Sequence, residues 1–216
     1  MTPMEHAELL NREVRTGERD GKPTKIVIGR RSYPAEQEDV WDALTNAERL
    51  PRWFLPVSGD LKVGGRYQFE GNAGGVVEEC RKPELIKATW EGGGQLSWLE
   101  IRVAPDGDQT SVELVHEAVV DPEFAEQYGP GAVGVGWDGA FLGLGLHLEG
   151  GERPADVVAW SISPEGLEFH RYACDDWARA DIEDGTDPDR ARAAADAVFS
   201  FYTVLPEDQG VPEDQG

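Results

Sequence analysis

A change of hydrophobic period at Leu61 constrains this chain more than any other feature of its sequence. From there to Glu117, apolar residues fall at alternate positions in short runs, and only a few turn residues join each run to the next. Tyr67 and Phe69 share one face, as do Ile86, Ala88 and Trp90, then Leu99, Ile101 and Val103, then Val112, Leu114 and His116. The turns fall at residues 63–65, 72–75, 82–84, 92–94 and 105–108. A side-chain period of two marks strands with one buried and one solvated face, and connections this short permit only antiparallel pairing. The expected product is an antiparallel meander, apolar on one face and charged on the other.

Ahead of the meander, KIVIGRRSY is β-branched and stops at Pro34, which cannot donate to a sheet ladder, so it reads as a first strand beginning at Lys25. The following PAEQEDVWDALTNAERLPRWF sets Val40, Trp41 and Leu44 at helical spacing, and a second short helix from about Ala47 presents Leu50, Trp53 and Phe54. Residues 1–23 are charged and carry no sustained apolar stripe; they read as a flexible N-terminal arm with a short helix over residues 5–14.

Beyond the meander, residues 121–131 are rich in Asp, Pro and Gly and read as a loop. AVGVGWDGAFLGLGLHL then carries apolar residues all round a helical axis, so a helix buried on most sides is expected over residues 132–148. Each interior glycine costs a helix roughly 0.5–1 kcal/mol relative to alanine. Gly136, Gly139, Gly143 and Gly145 therefore need a reason: close approach of the sheet backbone, which is favoured, or free volume for a ligand. Residues 151–205 read as a helical C-terminal extension, its last helix starting at Pro188 behind an Asp187 cap. The repeated PEDQG of residues 206–216 reads as a disordered low-complexity tail.

The chain holds 42 acidic and 20 basic side chains, a formal charge of −22. Such a field repels phosphate backbones and anionic headgroups, so neither nucleic acid nor a membrane surface is an expected partner. The start MTPMEHAELLNREVRTGERDGKP is too polar for a signal segment, and Cys80 and Cys174 lie far apart, so a cytoplasmic protein with reduced thiols is expected. Asp138 interrupts the most apolar stretch, which falls short of the roughly 20 apolar residues a membrane span needs.

Strand, two short helices, six-strand meander and long helix is the helix-grip order. The run RRSYPAEQEDVWDALTNAERLPRWF resembles the start of domains homologous to the activator of heat-shock protein 90 ATPase, a branch of the START-like (SRPBCC) superfamily; the positions that carry the likeness are Pro34, Val40, Trp41, Thr45 and Trp53. DLKVGGRYQFEG is similar to the family's Gly-Gly turn at Gly64 and Gly65, and KATW to its strand end at Thr89 and Trp90. His116 stands where the last strand of that family carries His, and GWDGAF resembles the opening of its long helix at Gly136, Trp137 and Asp138. The resemblance covers about residues 24–150, and its specificity lies in the order of these motifs. It implies an α+β helix-grip fold, a bent antiparallel sheet wrapped around a long helix, with extra C-terminal helices whose role it does not give.

Other motifs carry little. Two spellings of GxGxxG, from Gly129 and from Gly134, follow no strand of a βαβ unit, so no dinucleotide is expected. Without a GxxxxGK[ST] loop the chain is not expected to hydrolyse ATP itself. His116 shares the inward face of its strand with Val112 and Leu114, where a satisfied core histidine is the expected reading and proton transfer the competing one. Glu117 completes no HExxH, because Val120 stands where the second His belongs. His170 and Cys174 are spaced i, i+4 near Asp175 and Asp176 with no further His or Cys close by, so no metal site is expected. No GxSxG occurs and no motif sets a histidine beside a serine, so no catalytic residue and no cofactor are assigned. Parity puts Glu100 on the outer face, and Glu79 stays open; either would be a raised-pKa acid if it faced inward.

A strongly bent sheet and one helix leave room between them for an apolar ligand. The leading expectation is therefore binding of a hydrophobic or amphipathic small molecule between the sheet and residues 133–148. The cavity residues expected for it are Trp41, Trp53, Tyr67, Phe69, Trp90, Ile101, Leu114, His116, Trp137 and Phe141, and the resemblance implies that some of these rings pack and others line. The resemblance implies two alternatives: a polyketide cyclase or aromatase-like enzyme in which His116 transfers a proton, and a co-chaperone-like module with a protein partner.

Overall fold

The computed structural model describes residues 1–203, so the PEDQG tail lies outside the described residues. The chain opens with helix α1 (Pro3–Glu8) and the strands β1 (Asn11–Arg19) and β2 (Lys22–Tyr33), followed by the short helices α2 (Gln37–Thr45) and α3 (Leu50–Trp53). Six strands come next: β3 (Val57–Gly59), β4 (Arg66–Phe69), β5 (Gly74–Arg81), β6 (Leu85–Gly92), β7 (Gln95–Asp106) and β8 (Gln109–Val119). Helices α4 (Pro122–Tyr128), α5 (Gly131–Leu148), α6 (Val157–Ser161), α7 (Pro164–Glu183) and α8 (Pro188–Thr203) complete the described chain.

All eight strands belong to one bent antiparallel sheet in the order β1-β2-β8-β7-β6-β5-β4-β3. In its centre the register pairs Ile86 with Ile101, Ala88 with Leu99, Leu99 with His116 and Ile101 with Leu114, so the period-two residues meet on one inner face. The outer face carries cross-strand ion pairs running from Glu13 through Arg30, Glu113, Arg102, Glu100 and Lys87 to Glu79. Glu79 and Glu100 therefore both lie on the outer face, and neither is an interior acid.

Helix α5 lies across the inner face. Tyr33, fully buried in β2, donates its hydroxyl proton to the Phe141 carbonyl at 3.1 Å. The opposite side of α5 is covered by α7, whose Trp177 is 1% exposed, so the helix has helical as well as sheet neighbours. This arrangement explains three glycines of the helix, though not through the sheet backbone. A Cβ on Gly134 would sit 2.3 Å from the Trp177 ring, one on Gly143 2.3 Å from the Trp53 carbonyl oxygen, and one on Gly145 2.6 Å from the His6 ring. Three helices, α7, α3 and α1, thus pack where side chains are missing. A Cβ on Gly136 would sit 3.0 Å from the Tyr202 hydroxyl, and one on Gly139 would meet open space.

Two expectations are corrected here. Residues 1–23 are not a flexible arm: Thr2 and Glu5 form a reciprocal capping box that starts α1, and β1 pairs along its whole length with β2. Asp20 and Gly21, both at positive φ, make the two-residue turn between β1 and β2, and an Asp-Gly pair is a strong hairpin signal. The segment lacked an apolar stripe because its buried residues include Arg12 as well as Val14. Residues 121–131 are not all loop either, since the Asp121 carboxylate accepts from the amides of Glu123 and Phe124 and so caps α4. Asp187 caps α8 in the same way through the amides of Asp189 and Arg190.

Candidate functional site

The inner-face residues of β6, β7 and β8 and one ring from α5 form a directed chain of hydrogen bonds. The register sets Trp90 opposite Ser97, and Ser97 one diagonal step from His116. Trp137 of α5 donates its indole N–H to His116 Nδ1 at 2.9 Å, His116 Nε2 lies 2.7 Å from Ser97 Oγ, and the Ser97 hydroxyl donates to the Trp90 carbonyl at 2.9 Å. An indole can only donate, so His116 Nδ1 accepts and the imidazole proton resides on Nε2. The chain thus runs one way, from Trp137 to Trp90.

The pair of Ser97 and His116 has the spacing of a nucleophile and its base, which no sequence motif indicated. Its tautomer is the wrong one, because a base that accepts the serine proton needs a bare Nε2. Burial alone pushes the His116 imidazole down to about 4, so it is neutral at physiological pH. A histidine buried neutral takes up a proton less readily than it does in the unfolded chain, so the unfolded chain binds more protons as pH falls through the ordinary histidine range. Stability from His116 is complete above that range and is lost as pH falls towards about 4. Between pH 7 and pH 5 the wild type should lose about 2 kcal/mol that a His116→Gln variant retains. Urea titrations of the two proteins at both pH values test this; parallel pH profiles would show that His116 titrates normally.

Rings surround the chain. Trp90 and Trp137 lie 5.0 Å apart between centroids, and His116 lies 5.7 Å from Trp137. On one side of this cluster is an apolar chamber of about 70 Å³. It is lined by seven of the ten expected cavity residues: Trp53, Phe69, Trp90 and Ile101, together with Leu114, Trp137 and Phe141. It is far below the roughly 300 Å³ at which small-molecule pockets begin. On the other side, at the N-terminal end of α5, a cleft of about 960 Å³ opens between the sheet and the helix. Trp90, Ser97 and His116 line this cleft, Ala132 and Val133 of α5 line its helix side, and Phe124, Tyr128, Phe201 and Tyr202 wall it from α4 and α8. Lys25, Asp181 and Arg190 supply charge at its edge, with Lys25 held by Asp181 at 3.0 Å.

Trp41 and Tyr67 line neither space. Trp41 is a core residue, 4% exposed, and Tyr67 turns its hydroxyl to the Thr89 carbonyl at 2.6 Å within a side cluster of Val77 and Ala88. The sequence reading therefore found the rings of the inner chamber but not the walls of the larger cleft. Ser97 was missed because a serine in an alternating strand looks like any small residue, and its use depends on the register with β8. Phe124, Tyr128, Phe201 and Tyr202 were missed because they come from a presumed loop and from the extension.

Elsewhere, His170 and Cys174 are buried in α7, with His170 Nδ1 2.7 Å from the Gly166 carbonyl and the Cys174 thiol pushed up to about 12 by burial. Among the described residues no group of three or more His, Cys, Asp or Glu side chains could hold a metal ion, and no helix is long and apolar enough to cross a membrane. Both GxGxxG spellings fall in the approach to α5 and in α5 itself, beside a sheet with no parallel strands.

A bent antiparallel sheet gripping one long buried helix, with a cleft left at the helix end, defines a helix-grip protein of the START-like superfamily. Within that superfamily the chain belongs to the family of activator of Hsp90 ATPase homolog 1-like proteins, whose family model matches residues 34–149. The crystal structure of CalU16 from Micromonospora echinospora is similar at 28% identity, covering 79% of this chain and 97% of that one with a TM-score of 0.65. The solution structure of CalU16 gives 28% identity and a TM-score of 0.67 over 82% of this chain and 97% of that one. A conserved protein of unknown function from Enterococcus faecalis, EF2215, is 15% identical over 85% of this chain and 96% of its own, with a TM-score of 0.56, and shows the fold alone. No curated protein matches the chain.

Proposed function

We propose that the protein binds a hydrophobic or amphipathic small molecule in the cleft at the N-terminal end of α5. The observation that carries this reading is the cleft's volume of about 960 Å³ combined with its aromatic walls and largely apolar surface. That volume lies at the upper end of the range for small-molecule sites, and polar side chains of the lining such as Ser97 and His116 would orient a ligand there. The inner chamber of about 70 Å³ supports an accessory role, admitting at most a small branch of a ligand past Trp90. In this reading the C-terminal extension is part of the binding domain, because α8 contributes Phe201 and Tyr202 to the wall.

The one-way hydrogen-bond chain weighs against the cyclase-like alternative. Both nitrogens of His116 are engaged, and its proton is on the nitrogen that a base would need empty. Nile red, a neutral dye that brightens in apolar surroundings, tests the reading directly. It is expected to bind the wild type with micromolar affinity or better and to lose at least tenfold in Ala118→Trp, since Ala118 lines the cleft opposite Ser97. Equal dye binding by the two proteins would move the site elsewhere.

A further inference from the structure

The direction of the Trp137–His116–Ser97–Trp90 chain restricts what the cleft can hold. Trp137 has no acceptor with which to reverse it, so the three distances of 2.9, 2.7 and 2.9 Å admit one arrangement of protons. A serine hydroxyl offers one proton and two lone pairs. The Ser97 proton goes to the Trp90 carbonyl and one lone pair receives His116 Nε2–H. One lone pair is left, on a side chain that lines the cleft beside the Trp90 ring.

Resting on the cleft reading above, we infer that Ser97 is a specificity residue that selects ligands presenting a hydrogen-bond donor, a hydroxyl or an N–H, next to an aromatic or apolar body. A ligand carbonyl or ether oxygen in the same place would meet a lone pair with no proton between the two oxygens. Such a ligand would also strip water from Ser97 without replacing it, and a site built for a polar partner rejects an analogue that cannot supply one. The aromatic body would lie against Trp90 and the α4 and α8 rings, while the donor points at Ser97.

Three probes of nearly equal shape separate the possibilities: naphthol, which donates, methoxynaphthalene, which can only accept, and naphthalene, which does neither. Calorimetric titration of the full chain at neutral pH should show naphthol binding about tenfold more tightly than methoxynaphthalene. The preference should be lost or reversed in Ser97→Ala, which leaves the His116 Nε2–H free to donate to a ligand oxygen, and persist in Ser97→Thr, which keeps the hydroxyl. Loosening of the cleft by the alanine would weaken all three probes together and leave their ratio unchanged, so a merely structural serine would not remove the preference. Equal affinities for naphthol and methoxynaphthalene in the wild type, or a preference that survives Ser97→Ala, overturns the inference and leaves the cleft ligand standing. Failure of all three probes to bind removes the cleft reading and the inference with it. The wild-type ratio depends on no variant folding.

Discussion

Replacing Arg12 by alanine is expected to destabilise the protein by about 3–5 kcal/mol, which for a chain of this size lowers the melting midpoint by roughly 10 °C. The Arg12 side chain has no solvent exposure, and every one of its nitrogens is used. Nε and Nη2 meet Asp138 of α5 at 3.1 and 3.0 Å, Nη1 meets Asp176 of α7 at 3.0 Å, and the carbonyls of Leu10 and Ala7 accept at 3.1 and 3.2 Å. Asp138 also accepts from the Trp177 indole at 3.1 Å. One guanidinium thus ties β1, α1, α5 and α7 together, and its removal leaves a buried carboxylate without its cation. Burial already pushes Asp138 up to about 6, against the opposing pull of Arg12 and Trp177. Without Arg12 the carboxyl should rise further, so the folded variant takes up a proton before the unfolded chain does. The variant's deficit should therefore shrink as pH is lowered from neutral, and a second variant, Arg12→Met with Asp138→Leu, should recover much of the loss at neutral pH. Denaturant melts of the three proteins decide the matter, and a loss below 1 kcal/mol for Arg12→Ala would mean the pair is not holding the N-terminal segment in place.

Gly143→Ala should destabilise by about 3 kcal/mol, the upper part of the range for overpacking, because the new methyl would sit 2.3 Å from a backbone oxygen, that of Trp53. A carbonyl in a helix cannot rotate out of the way, so α3 must move as a unit. Leu50 and Trp53, both in α3, line the inner chamber, and the strain should appear there as a change in Trp53 fluorescence. Gly139→Ala, four residues earlier in the same helix, provides the contrast. Nothing lies within 4 Å of its added carbon, so it should gain about 0.5–1 kcal/mol from helix propensity. Opposite signs at two glycines of one helix cannot arise from propensity alone. If both substitutions shift stability alike, close packing is not why α5 is rich in glycine.

Much of the fold was legible because its signals are local. Alternation in LIKATW, LSWLEIRV and TSVELVHE gave strands and faces, and short turns gave their antiparallel order. The first strand hid because one of its two buried residues is an arginine, which counts as surface in any pattern of apolar residues. Its partner Asp138 stood out as an interruption of an apolar run and as part of the family's helix opening, and neither signal points to a buried ion pair. The site was legible by halves: rings on period-two strands pointed inward as parity required, while the cleft walls came from α4 and α8, which the residue pattern does not connect to the sheet.

The sequence by itself determined the meander, the buried helix and the family likeness, because periodicity, turn residues and motif order are properties of neighbouring positions. Only the tertiary structure decided where space remains, that Ser97 stands beside His116, and which nitrogen of that histidine holds the proton. Those outcomes depend on register across strands and on contacts between segments more than a hundred residues apart, such as Arg12 with Asp138. No local pattern of side chains encodes a volume left empty between elements that meet only in the folded chain.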